Sequence, residues 1–329
     1  MSVSLEYLQR CGAETGFQPA TLEKVVRLGE LAGDIARHPL LGKALALKGG
    51  TPLNLAFGAP RRLSIDLDYN YVANVDRDAM LADRPHIEDA VTVLAERQGY
   101  RVQLSAHAFA GRTLHLHYGS AFGTGGVIQV DINYLHRLAL DGVERRTLWQ
   151  PGELDRPRVI VVSVPELLAG KLLALLDRGS PRDAWDVTSL PKTVAEAVAA
   201  PRFRQLFIAL AATLDQPLAT YTRQRLDAQL TERLVATQLA PMLTVKGPPD
   251  ARVLAAHAWE AIAGLLTLRE NERDYFAAIE QGELRLERLF PDQPSEVARL
   301  AGHPALQWKL ANVRREAQGT QSAPDRGAS

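Results

Sequence analysis

A single cysteine, Cys11, in 329 residues leaves no partner for an intrachain disulfide and no thiol cluster for zinc. With no base fixed beside it in the sequence, Cys11 is read as an inert or simply exposed thiol. An excess of one charge is also missing, since Lys plus Arg and Asp plus Glu number 38 each. No global positive field therefore advertises nucleic acid, and any RNA contact must come from a local patch. No apolar stretch is long enough to span a bilayer, and the opening residues lack a basic segment followed by a long apolar run. The expectation is a cytoplasmic protein with no membrane partner. No repeat recurs at a fixed spacing. At 46% hydrophobic and 23% charged, the chain has material for a sizeable core and for two domains.

What is present is concentrated in one stretch, where Gly49-Gly50 is followed by Arg62-Leu63-Ser64-Ile65-Asp66-Leu67-Asp68. In an extended strand, Ser64, Asp66 and Asp68 share one face while Ile65 and Leu67 point into the core. Neighbouring carboxylates repel unless cations sit between them, and paired divalent ions clamp the attacking and leaving oxygens of a phosphoryl displacement. A glycine pair lets backbone amides approach an anionic phosphate at a helix start. Thr51 suits a cap for that helix and Pro52 suits its first turn. Residues 45–47 read as the strand before, 51–57 as the helix and 63–71 as the returning strand. Either half alone is a weak signal, because alternating acids also mark a solvated strand edge.

The surrounding chain supplies the rest of a fold. Apolar residues recur with helical rhythm over 21–36, up to Pro39, and again over 87–97. Strand-like runs follow at 100–105, 113–118 and 127–134. Asp131 interrupts the third run, either as a further carboxylate of the site or as a water-facing neighbour of Gln129 and Asn133. His115 and His117 share a strand face but lack companions at metal-ligand spacing, so they are assigned no role. Ser163-Val164-Pro165-Glu166 fits a capping box opening a helix over 166–177. Within its apolar run Lys171 is the lone cation, either extending its stem to water or serving as a counter-charge for phosphate. Ser180-Pro181-Arg182-Asp183 repeats the capping pattern, so Asp183 can be satisfying backbone amides. Asp183 and Asp186 also lie three apart on one helical face, able to hold a lysine or arginine. Beyond 191 the pattern is helical, clearest over 203–214, 226–239 and 253–268. Arg202, Arg204, Arg223 and Arg225 are either an RNA-facing surface or, as scattered helical arginines usually are, solvated faces, which is the reading preferred. The division expected is 1–162, 163–317 and a disordered polar tail at 318–329.

Lys48-Gly49-Gly50-Thr51 and Arg62-x-Ser64-x-Asp66-x-Asp68, with Lys171 and Arg182-Asp183-x-x-Asp186, resemble the AbiEii/MenT-type nucleotidyltransferase toxins of toxin–antitoxin systems. The resemblance is close over 45–70 and 164–190 and diffuse elsewhere, with Pro52 standing where a small helix former is expected. It implies an α+β fold: a nucleotidyltransferase-like mixed sheet with flanking helices, then a mainly helical C-terminal domain that completes the nucleotide site. It further implies a transferase using two Mg2+ ions, or Mn2+, and a nucleoside triphosphate (NTP) as co-substrate. The implied partners are a cognate antitoxin and a tRNA acceptor, modified at its 3′ end. On this resemblance Asp66, Asp68 and Asp131 hold metal, and Asp131 helps deprotonate the acceptor hydroxyl. Gly49, Gly50 and Ser64 contact phosphate, and Lys171 neutralises the departing pyrophosphate. Arg182, Asp183 and Asp186 border the nucleotide, Asp186 in a supporting place. A phosphate placed on Ser64 would bring negative charge to the acids and block the site. Two other readings remain: the same chemistry on a protein or small-molecule hydroxyl, or a non-catalytic module that binds nucleotide or a partner. Loss of a carboxylate would mark the module, and all three acids are present.

Overall fold

The computed structural model describes residues 3–244 and 247–321. Among the described residues seven strands form one mixed sheet: β1 (Leu45–Lys48), β2 (Asp66–Tyr71), β3 (Arg101–Leu104), β4 (Gly111–Gly119), β5 (Gly125–Asn133), β6 (Val143–Thr147) and β7 (Arg158–Val162). Their spatial order is β3-β4-β5-β2-β1-β7-β6. The pairs β5–β2 and β1–β7 are parallel, and the other neighbours are antiparallel.

Alternation divides the two faces of this sheet. On β2, Leu67, Tyr69 and Tyr71 are buried, while Asp66, Asp68 and Asn70 occupy the intervening positions of the opposite face. The apolar face is covered by α1 (Leu5–Thr15), α2 (Pro19–Arg37), the short α3 (Leu41–Ala44) and, beyond the glycine turn with its α4 (Gly50–Leu55), α5 (Arg77–Arg97). Leu22, Val25, Leu28, Leu31 and Ile35 of α2 join Ile87 and Val91 of α5 in one core with the inward residues of the strands. The helix expected over 21–36 is thus present. α5 starts earlier than expected because Asp76 caps it, accepting from the Ala79 amide, in a stretch with weak apolar rhythm. Cys11 is fully buried in this core, which removes the exposed alternative, and burial raises its thiol pKa.

The chain then continues through α6 (Val164–Arg178) and α7 (Pro181–Thr188) into a helical region with its own core, built on Phe203, Phe207, Leu254, Tyr275 and Phe290. Leu53 and Leu140 join that core from the preceding part of the chain. The single helix expected over 226–239 is interrupted. Arg223–Gln229 ends at extended Leu230, and Thr231 caps a new turn by accepting from the Leu234 amide. The last helix, Pro304–Gln321, runs past the expected start of the tail, whose remaining residues 322–329 lie outside the described ones. No helix among the described residues is long and apolar enough to cross a membrane.

Candidate active site

The site grows from the junction of β1 and α4. Gly49 adopts φ 78° and ψ −149°, a conformation only glycine enters freely, and serves as N-cap without a side-chain bond. A Cβ on Gly49 would stand 2.5 Å from Asp68 Oδ2, so the missing side chain lets the turn close onto the acid. Thr51 is not the cap that the sequence suggests. It lies inside α4, where its hydroxyl donates to the Asp66 carbonyl at 2.5 Å and ties the helix to β2.

Strand register aligns the charges. Lys48 pairs with Asp68 across β1–β2, and Asp68 pairs with Asp131 across β2–β5, so cation and acids form a row on the polar face. Burial pushes the Asp68 carboxyl above its usual range; Asp131 and Asp66 add to the rise, while Lys48 and Lys171 oppose it. Asp66, two residues along, receives Arg182 Nη1 at 3.2 Å. Asp131 accepts from the Thr113 hydroxyl and from Gln129 Nε2, the latter at 2.7 Å. It therefore sits beside Gln129 on the polar face and also in register with Asp68. Ser64 lies two residues before β2 begins at Asp66. It is buried beside Gly50, where an added Cβ would lie 3.0 Å from its hydroxyl.

Lys171 does not extend to water; it lines the cleft. Its ammonium is buried and fixed, 2.8 Å from Asp183 Oδ1 and 2.9 Å from Asp186 Oδ2. Burial alone would lower its pKa, but the two carboxylates outweigh this and raise it. Asp186 also takes buried Arg62 in a bidentate pair, with both contacts at 2.6 Å, and accepts from Asn54. Although burial opposes ionisation, Arg62 and Lys171 hold the Asp186 carboxyl at about 2. Arg178 completes the cluster on Asp183 at 2.7 Å. Neither capping box forms: Ser163 and Ser180 make no side-chain cap. Instead Glu166 turns inward, accepting from Asn70 Nδ2 at 3.2 Å and the Leu140 amide at 2.8 Å, and burial raises its pKa to about 7.

These elements border a cleft of about 380 Å³ whose charged lining includes Lys48, Asp68 and Lys171 beside Gly49 and Gly50. Asp66, Asp131 and Arg182 lie along the sheet beyond this lining, and Asp183 and Asp186 stand behind Lys171. Two contributors carried no assigned role from sequence: Lys48, marked by its place just before the glycine pair, and Arg62, for which only its nearness to the acids gave a hint. The four helical arginines, all half-buried, are occupied elsewhere: Arg202 with Asp141 and Glu296, Arg204 with Glu272, Arg223 with Asp227, and Arg225 over the Tyr221 ring.

An all-oxygen carboxylate set with raised proton affinity at its centre suits a hard divalent cation in kind. Among the described residues no three His, Cys, Asp or Glu side chains converge into a ready-made cage, and Arg182 supplies the positive charge beside Asp66.

Residues 33–265 match the family model for the nucleotidyl transferase AbiEii toxin of type IV toxin–antitoxin systems. The chain belongs to the AbiEii family. It is accordingly a nucleotidyltransferase toxin of the AbiEii/MenT type, a class defined by pairing with an antitoxin. Among solved structures it is similar to MenT4, a nucleotidyltransferase toxin from Mycobacterium tuberculosis, with a TM-score of 0.61 at 17% identity. The match covers 91% of this chain and 99% of that one, and establishes a shared fold. No curated protein matches the chain in sequence. For this AbiEii protein, the Gly-Gly turn and the acids of β2 both lie within the matched residues.

Proposed function

We propose that the protein transfers a nucleotidyl group from an NTP to RNA, with the 3′ end of tRNA as acceptor. The observation that supports this most is the row of Lys48, Asp68 and Asp131 across three strands, beside a cleft opened by Gly49. Asp66, Asp68 and Asp131 are the residues to hold divalent cations; two magnesium or manganese ions, when bound, would neutralise the triphosphate and polarise the reacting oxygens.

The other roles follow from this chain's own groups. Gly49 leaves backbone amides bare for phosphate, and Lys48 balances Asp68 from the cleft wall. Thr113 and Gln129 hold Asp131 in one orientation, from which it accepts the proton of the attacking hydroxyl. Arg182 gives up Asp66 and turns to the phosphates. Lys171 acts in place: among the described residues, Lys171, Arg62 and Arg178 face two carboxylates, leaving net positive charge behind the phosphates.

The test is to incubate the protein and its Asp66→Ala variant with magnesium, each labelled NTP in turn and total tRNA, resolving products on a denaturing gel. Label entering tRNA with the wild type alone is the expected result. Label entering protein or a small molecule would replace the acceptor, and no label from a folded protein would overturn the transfer reading.

A further inference from the structure

The rest of the cleft differs in chemistry from the charged lining. Leu173, Leu214, Ala305 and Trp308 give it apolar lining from α6, the Leu214 turn and the last helix, with Asp177, Arg178 and Thr213 also in the lining. Ala305 and Trp308 lie three residues apart on the last helix, so they project from one face, while Leu306 and Leu310 are buried in the helical core. Lys309 fastens this helix, its ammonium donating to the Leu214 carbonyl at 2.7 Å. Trp308 itself is 42% exposed, although it lines the cleft. A large aromatic left half open beside a cavity has a face to offer a ligand.

A second observation points to the same space. Gly170 is an exposed residue in the middle of α6, next to Lys171, and it also lines the cleft. A Cβ built on it would meet nothing within 4 Å. Close helix packing therefore does not require glycine here, and glycine in a helix interior is destabilising by about 1 kcal/mol relative to alanine. The missing side chain keeps the cleft wall flat beside the charged lining. At about 380 Å³ the cleft has the scale of a small-molecule site rather than of a macromolecular groove.

We propose that this part of the cleft is the nucleobase subsite: Trp308 stacks on the base of the bound NTP, and Gly170 leaves room for it. The inference rests on the nucleotidyltransferase reading and adds a residue from outside the 33–265 match. Stacking is sequence-tolerant, because every base has a π-face, so Trp308 contributes to affinity for all four nucleotides.

Binding is measured by titration calorimetry in magnesium, with each NTP and with inorganic tripolyphosphate, which carries the phosphates without the base. Trp308→Ala should weaken every NTP by roughly tenfold or more, leave tripolyphosphate unchanged, and be rescued by Trp308→Phe. Gly170→Leu, at a site with open space, should stay folded by circular dichroism and likewise lose NTP but not tripolyphosphate. Unchanged NTP affinity in Trp308→Ala, or an effect confined to tRNA binding, overturns the subsite while leaving the transferase reading intact. A wild type that binds neither NTP nor tripolyphosphate overturns both.

Discussion

The acids Asp66 and Asp68 were legible because two carboxylates at alternate positions of a strand need no knowledge of the rest of the fold. Lys48 was not, since its role comes from lying opposite Asp68 in the strand pairing. Replacing it with methionine keeps the stem and removes the charge; turnover should fall about a hundredfold with an unchanged circular dichroism spectrum. Equal turnover would show that Lys48 is a bystander. Asp186 was legible as a carboxylate able to hold a lysine or arginine, but Arg62 as its partner was not, because their pair joins residues 124 apart. Removing one partner of a buried pair strands the other. Asp186→Ala should therefore destabilise the protein by about 3–5 kcal/mol, read as a lowered urea midpoint. A loss within a few tenths of the wild type would mean that Arg62 and Lys171 find other partners.

At the level of elements, the strand–turn–helix–strand unit was visible in the sequence because glycine, alternation and apolar rhythm are local signals. The two serine-led capping boxes show the limit of such signals. Both sequences satisfy the pattern, yet Glu166 and Asp183 are taken by buried partners, because an interior amide or ammonium offers a charged oxygen more than a solvated helix end does. β7 went unread since its run Arg158–Val162 is continuous rather than alternating, as befits a strand with parallel β1 on one side and β6 on the other. The glycine turn carries the sharpest element-level prediction. Gly49→Ala must strain a positive φ and push Asp68 away, so activity should fall further than stability. Comparing turnover with the melting temperature checks it. A stability loss large enough to account for the missing activity would reduce Gly49 to a structural turn.

Across the whole molecule, buried neutral groups shape the response to pH alongside ion-paired carboxylates such as Asp186, whose contribution is also lost in acid. His136 and His303 stack edge to face at 5.6 Å, and burial lowers them to about 4 and about 3 from 6.5. As pH falls below 6.5, the unfolded chain takes up protons that the folded chain refuses, so stability is lost down through these values. Glu166 acts in the opposite direction: raised from 4.5 to about 7, it keeps a proton that the unfolded chain releases, and its contribution is lost as pH rises through that window. Stability should peak in the mildly acidic interval between the two effects. His303→Phe should flatten the acid limb, as read from urea midpoints across the pH range. An acid limb as steep in the variant as in the wild type would assign the loss to other groups.

The pairing of Arg62 with Asp186 also sets an order of assembly. During synthesis the glycine turn and both acids of β2 leave the ribosome long before α6 and α7 exist. Until the 180s emerge, Arg62 has no carboxylate to bury against, and Lys171 lacks both Asp183 and Asp186. An interrupted chain thus carries Asp66 and Asp68 without the buried ion pairs that frame the cleft, and a chain stopped before the 180s should show none of the proposed transfer activity.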